Sequence, residues 1–316
     1  MDSTADSARK RTVVVVGHGM VGHRFVQALR ARDTAGSWQV VVLGEEARAA
    51  YDRVGLSSYV GSWDAGALAL SGNDYAGDSL VDLRVGVRAE AIDRIARKVF
   101  TSDGEAIAYD AVVLATGSYP FVPPVPGHDR PECFVYRTID DLDGIRAAAQ
   151  AAGPGAVGVV VGGGLLGLEA ANALRLLGMT PHVVEHNKRL MSAQIDEGGG
   201  AVLAALVGEL GLRVRTGVGL SGIEAVPGAD VGDRLELALS DESRLRAAVV
   251  VFAAGVRPRD QVARDAGLQV GPRGGVITDL GLRTSDPDIY AVGEVAAVEG
   301  TCYGLVAPGY TTAEVV

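Results

Sequence analysis

Two hexapeptides carry the clearest chemistry in this chain. Gly17-His18-Gly19-Met20-Val21-Gly22 and Gly162-Gly163-Gly164-Leu165-Leu166-Gly167 both read GxGxxG. Each directly follows an apolar, β-branched run (TVVVV at 12–16, VGVVV at 157–161) and opens a helical pattern. In that context the spacing has a physical meaning. The first glycine permits a tight turn, the second lets backbone approach an anion, and the third lets the helix pack close. The helix start then offers free N–H groups and a partial positive charge. The anion that suits such a turn is the diphosphate of a dinucleotide. The candidate binding residues are therefore Gly17, Gly19, Met20, Val21 and Gly22 in the first motif. In the second they are Gly162, Gly164, Leu165, Leu166 and Gly167.

A dinucleotide also presents ribose hydroxyls, which a carboxylate at the end of the next strand accepts. Glu45 and Glu46 follow the run at 39–43, and Glu185 follows the run at 181–184. Glu45 and Glu46 come later than the usual spacing of about 20 residues, and the loop at 33–37 absorbs the excess. Glu185 would accept from the 2′-hydroxyl of NAD and repel a 2′-phosphate, which favours NADH. His186, Lys188 and Arg189 lie just beyond and could hold a 2′-phosphate, so NADPH stays open. Glu169, on the first turn of the second helix, either faces a nicotinamide or simply suits a helix N-terminus.

The elements that must position these groups repeat. A helix is expected over 20–32, with Val21, Phe25, Val26 and Leu29 on one face, and Gly36 beyond it. A second is expected over 165–177, closed by Gly178. Each lies between two buried strands, so each motif sits in a βαβ unit. The repeat is too long for a solenoid. Two dinucleotide-binding domains explain it better. Between them a strand at 109–114 ends in Ala115-Thr116-Gly117, and a proline-rich stretch at 120–126 reads as an extended connection. A late strand at 288–292 runs into Gly293-Glu294. If it joins the first domain, the second is inserted within it. The expected organisation is a disordered tail at 1–10, a first dinucleotide-binding domain at 11–122, a connection at 123–154, a second dinucleotide-binding domain at 155–258 and a return to the first domain at 259–316.

Composition narrows the function. With 316 residues, 48% of them hydrophobic, the chain can build two cores. A formal charge of −10 argues against nucleic acid and anionic membranes as partners. The first ten residues lack a signal-peptide core, and no run approaches the ~18 apolar residues of a membrane span, so a cytoplasmic protein is expected. Cys133 and Cys302 show no metal or CxxC spacing and are expected to be buried and reduced. His23, His128 and His182 read as packing or surface residues. Gly198, Gly199 and Gly200 read as a loop or helix start, since no strand precedes them.

Two such units in one chain resemble the flavoproteins with two dinucleotide-binding domains, the glutathione-reductase-like fold. Ala115-Thr116-Gly117 looks like that family's ATG stretch. Ala253-Ala254-Gly255-Val256-Arg257-Pro258 looks like its second such turn, and Ile289 to Glu294 (IYAVGE) resembles its late YAxGD motif. A narrower resemblance, spanning 12–316, is to the N-terminal flavoprotein part of the assimilatory NAD(P)H nitrite reductase large-subunit family. It rests on VGHGMVGHRF at 16–25, EEARAAYDRVGLSSY at 45–59, GSYPFVPPVP at 117–126, GGGLLGLE at 162–169 and YGLVAPGY at 303–310. The chain departs from that family at His18, where Asn is common, and at Val295, where Cys is common.

The resemblance implies an α/β fold of two Rossmann-like domains, the NAD(P) domain inserted in the FAD domain. It implies FAD on the first motif and NADH on the second. Further FAD contacts would come from Arg53 at the phosphates, Ser57 near the flavin, Ala115, Thr116 and Gly117 beside it, and Gly293 with Glu294 at the ribityl chain. Gly255 would sit in the second ATG-like turn. The activity implied is hydride transfer from NADH to FAD and delivery of electrons to a redox acceptor domain or protein, iron–sulfur or sirohaem in type, in nitrate assimilation. No acid–base residue is required for the hydride step. Serines at 57 and 58, in place of redox cysteines, argue against disulfide reduction. The family's cysteine-rich segment and its C-terminal interface domain have no counterpart here, so the chain reads as a fragment or a shortened paralogue. The competing expectation is a non-catalytic nucleotide-binding or regulatory flavoprotein.

Overall fold

The computed structural model describes residues 9–229, 232 and 234–316. Most of the tail expected at 1–10 lies outside the described residues. The chain divides into two compact units. Among the described residues, one takes in those within 1–52, 69–119 and 257–316, and the other those within 53–68 and 120–256. Residues 53–68 thus group with the second unit, whereas the sequence reading placed them within 11–122.

The first unit is built on a five-stranded parallel sheet. Its order is Ile289–Ala291, Ala111–Leu114, Arg11–Val16, Trp38–Gly44 and Val81–Val85. The second unit repeats that order with Cys133–Val135, Val249–Phe252, Val157–Val161, Thr180–Glu185 and Arg213–Thr216. In each unit a three-stranded antiparallel sheet precedes the strand that pairs beside the first. These are Ala89–Asp93, Lys98–Thr101 and Ala106–Ala108 in the first unit, and Leu220–Ala225, Leu235–Leu239 and Arg244–Ala247 in the second.

The central strands are continuous β-branched runs because both faces of a parallel sheet are covered. Val14 and Val15 are fully buried, as are Val159 and Val160. Their side chains split between opposite faces, Val14 and Val16 into one cluster, Val13 and Val15 into another. Each such side chain stabilises the fold by ~1.5–3 kcal/mol through burial.

Helix Met20–Arg32 buries Phe25 and Val26, and also Gly22 and His23. It ends at Asp33, whose carboxylate accepts from the backbone N–H of Ser37 and of Trp38, both at 2.9 Å. Asp33 therefore folds the loop that delays Glu45 and Glu46. Helix Glu197–Glu209 begins at the three glycines, with the Asp196 carboxylate accepting from Gly199 N–H at 2.8 Å. Cys302 corrects the expectation for the cysteines. Both are free, but Cys302 is exposed, because it lies in the two-residue strand Thr301–Cys302, and Cys133 is half-buried.

His182 is 6% exposed on strand Thr180–Glu185, and neither ring nitrogen finds a partner among the described residues. Burial, with Arg213 and Arg215 nearby, lowers its pKa from 6.5 to about 4. The unfolded chain therefore binds more protons than the folded one between those values, and stability falls as pH drops through that window. Urea midpoints measured from pH 7 to pH 4 should decline less in His182→Leu than in the unmodified protein. Parallel pH curves would refute this.

Candidate dinucleotide-binding sites

The two glycine turns share the backbone bonds that tie them to their sheets. Gly17 N–H donates to Leu43 O and Gly162 N–H to Val184 O, each at 2.9 Å. Ala115 N–H donates to Val16 O and Ala253 N–H to Val161 O, each at 2.8 Å. Gly17 and Gly162 have φ of 110° and 121°. A Cβ on either would overlap the carbonyl of Ala115 or Ala253 respectively. A Cβ on Gly22 or Gly167 would meet the carbonyl of Gly17 or Gly162. The third glycine thus lets the helix sit on its own turn.

The second glycines differ in kind. Gly19 and Gly164 adopt extended backbone that any residue could take, and among the described residues nothing beyond their immediate chain neighbours lies within 4 Å of where their Cβ would be. Each is the N-cap of its helix, and among the described residues neither helix start receives a side-chain cap. Helix Ile139–Ala152, by contrast, is closed by a Thr138–Asp141 capping box. Uncapped amides beside open space, on two turns of the same construction, fit a diphosphate.

The acids are less alike. Glu185 ends its strand, is 8% exposed, and is oriented by the turn. Its Oε2 accepts Gly163 N–H at 2.5 Å. Its Oε1 accepts Asn187 N–H at 2.6 Å and Asn187 Nδ2 at 2.7 Å. Glu45 is exposed and ion-paired with Arg259 and Arg88. Glu46 accepts from the Tyr51 hydroxyl at 2.8 Å. Arg189, a candidate for a 2′-phosphate, already donates to Ile195 O and Ser192 O.

In the first unit Val21 is seated between Gly293 and Gly309, where Cβ atoms would crowd it. Gly293 N–H donates to Thr312 Oγ1 at 3.0 Å, and Glu294 Oε2 accepts from Ser118 Oγ at 2.8 Å. The motif Gly293-Glu294 is thereby held against the first glycine helix. Thr116 Oγ1 donates to Arg259 O at 2.7 Å, and Gly117 O accepts Arg259 N–H at 2.9 Å.

In the second unit Gly255 has φ of 107° and its carbonyl accepts Phe121 N–H at 2.8 Å. Arg53 donates to Arg137 O at 3.3 Å. Ser57 lies near the fully buried Tyr136, whose pKa burial pushes up to about 12. Arg53 and Ser57 thus group with the unit opposite to the one whose cofactor the resemblance assigns them. Sequence reasoning missed Tyr75, which bonds both histidines beside the first turn.

This fold with two such turns defines the class of two-dinucleotide flavoproteins. The chain belongs to the pyridine nucleotide-disulphide oxidoreductase family, which it matches over residues 11–313. It is 48% identical over 304 residues to a nitrite reductase [NAD(P)H] large subunit of Klebsiella oxytoca, and 42% identical over 311 residues to a nitrite reductase (NADH) large subunit of Escherichia coli. Those matches take in 96% and 97% of this chain but 31% and 35% of the relatives, so the chain spans about a third of their length. A ferredoxin reductase from Rhodopseudomonas palustris superposes with a TM-score of 0.87 at 28% identity, covering 96% of this chain and 74% of that one. The chain is accordingly an NAD(P)H-dependent flavoprotein oxidoreductase with FAD and NAD(P)H as cofactors. Nothing favours the non-catalytic reading. Among the described residues no helix is long and apolar enough to cross a membrane.

Proposed function

We propose that this chain is the electron-entry module of an NAD(P)H nitrite reductase in nitrate assimilation. On this reading FAD lies on Gly17, Gly19 and the amides of Met20, Val21 and Gly22, with Gly293 and Glu294 at its ribityl chain and residues 115–117 alongside. NADH lies on Gly162, Gly164 and the amides of Leu165, Leu166 and Gly167, with Glu185 at its ribose. When bound, the two cofactors supply hydride transfer from dihydronicotinamide to flavin and onward release of electrons. The protein's own part is to bind, orient and tune.

The observation that carries the reading is the duplication of one uncapped, open glycine turn. Two turns serve a hydride donor and a hydride acceptor. The downstream acceptor would be an iron–sulfur or sirohaem domain, supported by relatives named as nitrite reductases of which this chain is about a third. A cytoplasmic setting belongs to the same reading.

The test is reconstitution with FAD followed by anaerobic titration with NADH. The visible flavin absorbance should disappear at one equivalent, and return with an artificial electron acceptor. Tightly held flavin that NADH leaves yellow would count decisively against it.

A further inference from the structure

The two units exchange residues at one position. In the first, His18 fills the variable place of the turn and the strand beside it ends in Gly44. In the second, Gly163 fills the variable place and the strand ends in Glu185. The registers match, since Val16 pairs with Leu43 and Val161 with Val184. The exchange is steric. A Cβ on Gly44 would lie 3.1 Å from the Cβ of His18, and a Cβ on Gly163 would lie 2.9 Å from the Cβ of Glu185. The Cβ of His18 therefore stands, in the first unit, beside the point where a strand-end side chain would begin, as the Cβ of Glu185 in the second stands beside the point where a side chain on the turn would begin.

A hydrogen-bond chain sets which ring nitrogen of His18 carries its proton. Ser71 O can only accept, so His23 Nε2, 3.2 Å away, is the protonated nitrogen and its Nδ1 is bare. The Tyr75 hydroxyl, 3.0 Å from that Nδ1, donates to it. The Tyr75 oxygen then accepts from His18 Nε2–H at 3.3 Å. His18 is left with a bare Nδ1, which is buried and has no partner among the described residues. The residue is only 8% exposed, and burial with His23 nearby lowers its pKa to about 4, so the ring stays neutral. An orphaned buried acceptor is costly unless something donates to it. A phosphate has no proton to give at neutral pH, whereas a ribose hydroxyl has one.

We infer that His18 Nδ1 accepts a hydrogen bond from an adenosine ribose hydroxyl of the dinucleotide on the first turn, the office a strand-end carboxylate performs on the second. Tyr75 and His23 are positioning residues that hold His18 in the accepting tautomer. The inference rests on the proposed placement of FAD on that turn.

The experiment measures FAD binding by quenching of flavin fluorescence, with FAD and with analogues lacking the adenosine 2′- or 3′-hydroxyl. His18→Phe should weaken FAD binding about tenfold, and His18→Asn, which keeps an acceptor, by no more than about threefold. One deoxy analogue should bind more weakly than FAD to the unmodified protein and equally to His18→Phe. In the unmodified protein, nitrogen-15 labelling of histidine should show Nδ1 of His18 unprotonated and its resonance moving when FAD is added. Full FAD affinity in a folded His18→Phe protein, or a protonated Nδ1, would overturn the inference while leaving the proposed function intact. An unmodified protein that takes up no FAD would overturn both.

Discussion

Gly164→Ala should keep its fold and its FAD, yet bind NADH more than about a hundredfold more weakly, ~2.7 kcal/mol. Gly164 has φ −80° and ψ −175°, a conformation alanine adopts freely, and among the described residues its Cβ would meet nothing beyond its chain neighbours within 4 Å. The methyl group would project instead into the space beside the uncapped amides, where the diphosphate must approach closely. Gly162→Ala is the contrasting case. Its φ of 121° is outside the range of L side chains, and the new Cβ would overlap Ala253 O. That variant should lose at least about 2 kcal/mol of stability. Denaturation midpoints, FAD content and NADH titrations on the two variants separate the roles. NADH reduction of Gly164→Ala flavin at the ordinary NADH concentration would refute the assignment of the second turn.

The contrast shows why the fold was open to reading from the sequence. A glycine needed for positive φ, a glycine needed for close approach and a buried β-branched run before them each have one main physical use, and their order specifies a strand, a turn and a helix. The insertion was legible for a similar reason. The run at 288–292 is too apolar for a surface loop, and it pairs as Ile289–Ala291 with Ala111–Leu114 in the first sheet.

What the sequence concealed depends on contacts between distant residues. Tyr75 lies in a turn rich in Gly, Asn and Asp, with φ of 53°, and no periodicity marks it as the link between two buried histidines. His18 read only as a departure from an Asn, because its exchange with Gly44 needs the strand register to become visible. The late acids Glu45 and Glu46 matched the expected type, yet it is Gly44 that stands in register with Glu185. Motif spacing counts residues and cannot count those that the Asp33 loop removes. The grouping of 53–68 with the second unit was likewise hidden. Helix Leu56–Ser62 packs on helix Leu165–Leu176, and nothing local in either segment announces that contact.

Glu185→Ala should be the most damaging single change at the second ribose position, and it should damage two quantities at once. The carboxylate accepts three donors, from Gly163 and from the backbone and side chain of Asn187. A carboxylate offers about four lone-pair sites, so one remains for a ribose hydroxyl, on the oxygen bonded to Gly163. Truncation strands the buried Gly163 N–H, at ~1–3 kcal/mol, and releases the turn from the strand end. The expected loss of stability is ~2–4 kcal/mol by the same reasoning, and NADH affinity should fall at least about tenfold. NADPH should gain little, because removing a negative charge does not supply a positive one. Arg189 is already committed to Ile195 O and Ser192 O, and the other two candidates of that segment, His186 and Lys188, are exposed. The NADH-to-NADPH ratio of kcat/KM should therefore shrink without inverting. A variant that binds NADH undiminished would show that the carboxylate serves the turn alone. Inversion in favour of NADPH would show that Arg189 gives up its two carbonyls for a phosphate.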